Sequence, residues 1–273
     1  MGKQISIEEI CEIIYSGKKI AVITGAGVSD ASGIAPFRDE SGKYRIENGE
    51  QKLHIDYFRE DPEKFYEFYK TYFVKPNKGP NITHITLSKL QEKGYIEGVV
   101  TQNIDKLHTK AGSKDVIEIH GDGTLFCCTN PSCDGEYTKE QYLKSDVCPK
   151  CGNLIRPDIV LYGETPRNIN KAIDLLKCAD VVLVLGASLL VRDIISLLMY
   201  YISTKIYANE PNNLIFINKG KTELDNNALV CRMDLEKAFE EIKKYGIEKG
   251  FLDSILEDNE KVLSIGSNKV HIE

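Results

Sequence analysis

Four aliphatic runs constrain this chain most: Ile20–Ile23, Ile96–Val100, Ala179–Leu185 and Leu214–Ile217. The first has no polar alternation, which suits a strand covered on both faces, as in a parallel sheet between helix layers. Each run stops at a polar or glycine cluster: Thr24-Gly25, Thr101-Gln102-Asn103, Gly186-Ala187-Ser188 and Asn218. Helical segments lie between them and supply the crossovers. The pattern predicts an α/β fold built on a Rossmann-like parallel sheet. In such sheets ligands sit beyond the carboxyl ends of the strands, so the four clusters would converge on one crevice.

The first cluster is a glycine turn, Gly25-Ala26-Gly27, where a backbone without Cβ atoms can bend sharply and approach a ligand. Bare amide N–H groups at such a turn can cradle a dinucleotide pyrophosphate. Gly-x-Gly turns that bind nothing are also common. The next glycine is Gly33, giving G-x-G-x5-G instead of the dehydrogenase G-x-G-x-x-G, which argues against ordinary hydride transfer. Arg38, in the Gly/Pro-containing loop that follows, offers a fixed cation for phosphate or carboxylate.

Other segments read in order. Ser6 precedes Ile7, Ile10, Cys11 and Ile14 at helical spacing, a capped amphipathic helix over Ile5–Tyr15. Asp39–Lys52 has loop composition and the length of a functional loop. Asp61-Pro62-Glu63 starts a helix carrying Phe65, Tyr66, Phe68, Tyr69, Tyr72 and Phe73, a stripe expected to pack in a core. Pro80–His84 introduces a helix over Ile85–Lys93, and Asp115–Ile119 is a short strand running into His120-Gly121. From Leu252 the tail is read as a helix followed by a frayed end.

A net charge of -6 over 273 residues leaves no electrostatic footprint for nucleic acid. No apolar run reaches the ~18 residues of a membrane span. Glu8, Glu9 and Glu12 interrupt the N-terminal apolar positions, unlike a secretory signal. Met1–Ser6 fits the loose N-myristoylation pattern at Gly2, with Lys3 a poor neighbour for it. The expectation is a cytoplasmic or nuclear, reducing compartment and a monomer.

Two cysteine pairs, Cys128-x4-Cys133 and Cys148-x2-Cys151, lie within one short segment. Without an export signal, such pairs read as thiolate ligands of one Zn²⁺. Four protein ligands close the site, so the metal would be structural, and the stretch from about Gly121 to Arg156 reads as a zinc ribbon inserted into the α/β unit. Cys127, beside Cys128, is an ambiguity that spacing leaves open.

With these pieces in order, the sequence resembles the sirtuin family, the NAD-dependent protein deacylases. The resemblance runs from about Ile7 to Ile242. It rests on Gly25-Ala26-Gly27-Val28-Ser29, Ser32-Gly33-Ile34-x-x-Phe37-Arg38, Pro80-Asn81-x-x-His84 and Thr101-Gln102-Asn103-Ile104-Asp105-x-Leu107-His108. It continues through His120-Gly121, the four cysteines, Arg156-Pro157, Tyr162-Gly163-Glu164, Gly186-x-Ser188-Leu189 and Ile217-Asn218.

The resemblance implies that residues 1–38, 76–120 and 157–250 form a discontinuous NAD-binding domain. Residues 39–75 would be a cofactor loop and the helical part of a smaller domain, 121–156 the ribbon, and 251–273 a tail. It further implies that Gly25, Ala26, Gly27 and Ser29 bind the pyrophosphate side of NAD, with Phe37 and Arg38 close by. Gln102, Asn103, Ile104 and Asp105 would form the nicotinamide pocket, Asp105 holding the carboxamide. Gly186, Ala187, Ser188, Asn218, Lys219 and Cys231, with the Arg232 backbone, would hold the adenosine half. Val160, Leu161, Tyr162 and Gly163 would pair with an extended acyl-lysine peptide. His120 would be the general base and Asn103 a second catalytic group. His84 and His108 are read as structural.

Some residues depart from the family pattern. Ala35-Pro36 stands for Pro-Asp, Lys106 for glycine, Asp122 for serine, Ala187 for threonine, Tyr162 for phenylalanine, and Arg192-Asp193-Ile194 replaces a Pro-Ala-rich helix start. Tyr69 followed by Tyr72, where the succinyl-removing branch has Tyr-x-x-Arg, argues against acidic acyl groups. The leading expectation is NAD-dependent deacetylation or long-chain deacylation, with release of nicotinamide and transfer of the acyl group to ADP-ribose. Protein mono-ADP-ribosyl transfer, or a non-enzymatic NAD-sensing zinc module, are the alternatives.

Overall fold

A computed structural model of the chain describes residues 2–35, 46–75, 78–211 and 213–253. The strands are β1 (Lys3–Gln4), β2 (Ile20–Thr24), β3 (Gly98–Thr101), β4 (Ile117–Glu118) and β5 (Gly121–Cys128). They continue with β6 (Glu136–Tyr137), β7 (Ile155–Ile159), β8 (Val181–Leu185), β9 (Leu214–Ile217) and β10 (Leu229–Cys231). The helices are α1 (Ile7–Ile14), α2 (Gly49–Lys52), α3 (Ile55–Glu60), α4 (Pro62–Tyr72) and α5 (Ile82–Glu92). After them come α6 (Leu107–Lys110), α7 (Lys139–Lys144), α8 (Ile169–Cys178), α9 (Arg192–Tyr207) and α10 (Leu235–Glu248). A 3-10 segment, Ala26–Ser32, follows β2.

Seven strands form one parallel sheet in the order β1-β10-β9-β8-β2-β3-β4. From β2 the chain steps outward through β3 and β4, then returns to β8 on the other side of β2. That is the doubly wound order, and its reversal point lies between β2 and β8. The apolar runs lack alternation because both faces are covered. Ile20 and Val22 point into a core shared with α1, α5 and α10, through Ile10, Leu87 and Phe239. Ala21 and Ile23 point into a second core with α8 and α9, through Leu176, Ile194 and Tyr201. Successive strand residues face opposite ways, so one uninterrupted apolar run serves two cores.

A second sheet, β6-β5-β7, is antiparallel. Its apolar face shares a core with α3, α4 and α7: Phe65, Phe68 and Tyr69 pack with Phe126, Tyr142, Ile155 and Leu161. Much of the aromatic stripe of α4 is therefore core, while Tyr72 is exposed at the helix end.

Several boundaries shift from the sequence expectation for local reasons. Helix α5 begins at Ile82, because the Asn81 side chain accepts from the Thr83 and His84 amides and caps it there. Strand β3 starts at Gly98 and includes Thr101. Within the expected loop Asp39–Lys52, residues Gly49–Lys52 form a helical turn. Pro36, Phe37 and Arg38, the rest of that loop up to residue 45, and the tail beyond residue 253 lie outside the described residues.

Candidate active site

The two glycine turns meet at the reversal point of the sheet. The Gly25 N–H donates to the Leu185 carbonyl at 3.0 Å and the Gly27 N–H to the Gly186 carbonyl at 2.9 Å. A Cβ on Gly27 would lie 2.8 Å from Gly186 Cα, and one on Gly186, whose φ is +59°, would lie 2.7 Å from the Val28 nitrogen. The glycines therefore let the two strand-end loops touch backbone to backbone. Sequence alone attributes the missing Cβ atoms to ligand approach, yet loop-on-loop contact already requires them.

Polar side chains converge on this turn from the next strand. The Asn103 amide donates to the Gly25 carbonyl at 3.2 Å and to Ser29 Oγ at 3.1 Å. Ser29 in turn donates to Asp105 Oδ2 at 2.7 Å, and the Leu107 N–H donates to Asp105 Oδ1 at 2.9 Å. Gly25, Ser29, Asn103 and Asp105 are thus one hydrogen-bonded unit spanning the ends of β2 and β3. The Asp105 carboxylate, with about four acceptor sites, keeps capacity for a further donor. Gln102 and Ile104 flank this unit; the Ile104 carbonyl accepts from the Gly123 N–H at 2.8 Å, tying it to β5.

Lys106 follows Asp105 with φ +63°, a left-handed backbone that accounts for glycine being the easier residue there. Its ammonium lies 2.9 Å from Glu118 Oε2 and 3.4 Å from Asp122 Oδ2. Burial pushes the Glu118 carboxyl up, and the Lys106 contact opposes that only in part.

On the other flank, the Asn218 amide donates to the Ala187 carbonyl at 2.6 Å, and the Asn218 N–H donates to the Cys231 carbonyl at 3.2 Å. Lys219 pairs with Asp234 at 2.6 Å, and Ser188 is exposed beside Ala187. The Arg232 guanidinium reaches the Asn218 and Gly220 carbonyls and Asp225, holding the loop after β9. Sequence reasoning points only to the backbone of Arg232 and misses this side-chain role.

His120 sits between β4 and β5, where the chain passes from the large sheet to the small one. Its Nδ1 lies 3.1 Å from the Gln102 carbonyl oxygen. Nε2 faces an acceptor too, Asp193 Oδ2 at 3.4 Å, but the Gln102 carbonyl is the closer of the two, which assigns the proton of the neutral ring to Nδ1 and leaves Nε2 the basic atom. The His120 carbonyl accepts from the Val160 N–H at 2.9 Å, which places Val160–Gly163 next to it. Within that segment Tyr162 is already paired, its N–H with the Leu53 carbonyl and its carbonyl with the Ile55 N–H, both at 2.9 Å. Leu161 is engaged by Glu164, which a bidentate Arg156 also grips at 2.9 and 2.8 Å. Burial alone would raise Glu164; Arg156 and the Leu161 amide hold it below the usual carboxylate range.

Cys128, Cys133, Cys148 and Cys151 bring their sulfurs within 4.8 Å of one another. Individual separations are 3.4 Å for Cys128–Cys151, 3.7 Å for Cys133–Cys148 and 3.6 Å for Cys148–Cys151. Four sulfurs each ~2.3 Å from a tetrahedral zinc stand about 3.8 Å apart, so the set fits Zn²⁺ and is far too open for disulfides. Gly152, at φ +75°, turns the knuckle by donating to the Cys148 carbonyl at 2.8 Å. Cys127 is the strand neighbour of Cys128 on β5 and points to the opposite face; it is not part of the cluster.

Residues 25–193 match the Sir2 family. An NAD-dependent protein deacetylase from Staphylococcus epidermidis is 37% identical over 250 residues, covering 88% of this chain and 98% of that protein. One from Thermotoga maritima is 38% identical over 241 residues, covering 85% and 94%. Among solved structures, Sir2 with a p53 peptide and NAD+ superposes with a TM-score of 0.77 at 34% identity, over 91% of this chain and all of that one. Sir2 bound to an acetylated peptide gives 0.76 at 33% identity over the same share.

Proposed function

This chain belongs to the Sir2 family, and from that premise we propose that it is an NAD-dependent protein-lysine deacylase, with NAD and an acyl-lysine peptide as its substrates. The observation that carries the reading is the placement of His120. Its proton-free Nε2 stands at the passage between the sheet that ends in the glycine turns and the segment Val160–Gly163. NAD supplies the ribose carbon that takes the acyl oxygen as nicotinamide leaves, together with the ribose hydroxyl that then attacks the acyl carbon.

The chain's residues would divide the work as follows. The linked side chains of Ser29, Asn103 and Asp105 hold the glycine turn in one shape and present an amide and a carboxylate at the nicotinamide end. Ala187, Ser188, Asn218 and the Cys231 carbonyl border the adenosine end. Gln102 fixes the His120 tautomer through its backbone, so that Nε2 can remove the proton from the ribose hydroxyl. Gly163 and the Val160 carbonyl offer the peptide its backbone partners. The four cysteines would hold one Zn²⁺ that shapes the small sheet and takes no part in the chemistry. Phe37 and Arg38 remain candidates for the phosphate side.

The test is product analysis with NAD and a panel of acetyl, long-chain acyl and succinyl peptides. Deacylation yields free nicotinamide, O-acyl-ADP-ribose and bare lysine, with the succinyl peptide the poorest substrate. A protein mass gain of one ADP-ribose, without deacylated peptide, would replace the reading by ADP-ribosyl transfer. Absence of nicotinamide release with every peptide would refute both.

A further inference from the structure

His120 has a second neighbour that this mechanism leaves idle. Its Nε2 lies 3.4 Å from Oδ2 of Asp193, in the first turn of α9. With the proton held on Nδ1 by the Gln102 carbonyl, a neutral ring presents a lone pair to that carboxylate, and two acceptors gain nothing from each other. Once Nε2 takes a proton, the same two atoms become a cationic donor and an anionic acceptor. At 3.4 Å the Asp193 oxygen lies close to the direction in which Nε2 would carry a proton, near enough for a new N–H to be shared, so a ribose hydroxyl reaches the lone pair when the carboxylate side chain turns aside. The imidazole is 19% and the carboxylate 33% exposed, so water screens the pair only in part.

Two cations of the strand-end loops are engaged with other acids. Lys106 pairs with Glu118 and Asp122, and the Arg167 guanidinium grips Asp158 with two bonds of 2.7 Å. Asp193 is the acid whose contact with the base nitrogen these residues display. Acidic residues also favour the first turn of any helix, so the experiment has to separate that role from one in proton transfer.

We propose that Asp193 is a positioning residue for proton transfer, accepting the Nε2–H of His120 after the ring has taken the ribose proton. In that step the ribose O–H bond breaks and its electron pair stays on oxygen for attack on the acyl carbon. The new N–H bond forms at Nε2, and the proton remains on the ring, hydrogen-bonded to a carboxylate that stays ionised. The inference rests on the deacylase reading above and deepens it.

The full chain carrying Asp193→Asn, and separately Asp193→Glu, would be assayed with NAD and an acetyl-lysine peptide. Two signals are followed: nicotinamide exchange, which precedes the His120 step, and deacylated peptide, which requires it. Asp193→Asn keeps exchange and the KM for NAD within about twofold of the parent, while deacylated peptide forms roughly tenfold or more slowly, as for loss of a hydrogen bond to a charged group. Asp193→Glu recovers most of that rate. A parallel fall in both signals would assign Asp193 to the fold of α9 and overturn the proposal, as would parent-like deacylation by Asp193→Asn. A parent chain that releases no nicotinamide would instead overturn the deacylase reading, and the inference with it.

Discussion

His84 lies against His108 with ring centroids 4.7 Å apart and planes tilted by 60°, where α5 meets α6. The outer nitrogens are used, His84 Nδ1 at 3.0 Å from Asn81 Oδ1 and His108 Nε2 at 3.0 Å from Thr24 Oγ1. His84 Nε2 and His108 Nδ1 are buried without partners. Both rings are fully enclosed, and burial pushes them down to about 4 and about 3. The folded chain therefore holds two neutral imidazoles that an unfolded chain would protonate near pH 6.5.

Unfolding then takes up protons at acid pH, so stability is flat above about pH 7 and falls as pH drops through the window from about 6.5 toward 4. The slope of unfolding free energy against pH should approach two protons in that window, beyond what the carboxylates add. Denaturant titrations at a series of pH values measure it, and His108→Gln should remove roughly one proton from the slope. A slope unchanged by that substitution would contradict a neutral buried pair.

The cysteine tetrad predicts one zinc per chain. Cys148 is buried among Phe126, Tyr142 and Ile155, so removing the metal should loosen the whole β6-β5-β7 sheet. Cys151→Ala should abolish zinc in elemental analysis and lower Tm, whereas Cys127→Ser should retain a full equivalent. Loss of zinc from the Cys127 variant would show that the wrong four sulfurs have been assigned.

Glycine contacts separate strain from collision. Gly17 has φ +81° with nothing within 4 Å of the position a methyl group would take, so Gly17→Ala should cost about 1 kcal/mol of backbone strain alone. Gly186→Ala adds a collision with the Val28 nitrogen at 2.7 Å and should cost several times that figure. Midpoints of chemical unfolding compare them directly; equal losses would mean that the two loops yield to each other easily.

Asn103 tests the glycine-turn unit through activity. Asn103→Asp replaces an amide donor by a carboxylate facing the Gly25 carbonyl and close to Asp105. Nicotinamide release should fall by at least roughly a hundredfold, as for an unpaired buried charge, with the zinc content unchanged. Parent-like release would remove Asn103 from the site.

The strand runs, the zinc pairs and the Ser6 cap of α1 were legible in the sequence because each is a local matter, whereas the Asn81 cap of α5 was not read there. Ile20–Thr24 declares a strand buried on both faces by its own composition, and Cys148 and Cys151 declare a knuckle by their spacing. The family motifs named the candidate site residues one block at a time. Tertiary structure alone brought Gly27 onto Gly186, His84 against His108, and Asp193 to within 3.4 Å of His120 across 73 residues of chain. Those contacts follow from the order in which parallel strands pair, which a right-handed crossover sets over long separations and no short window of residues records. Asp193 stood out in the sequence only as a break in the usual helix start; its partner became visible once β8 lay beside β2 and α9 began at the mouth of the crevice.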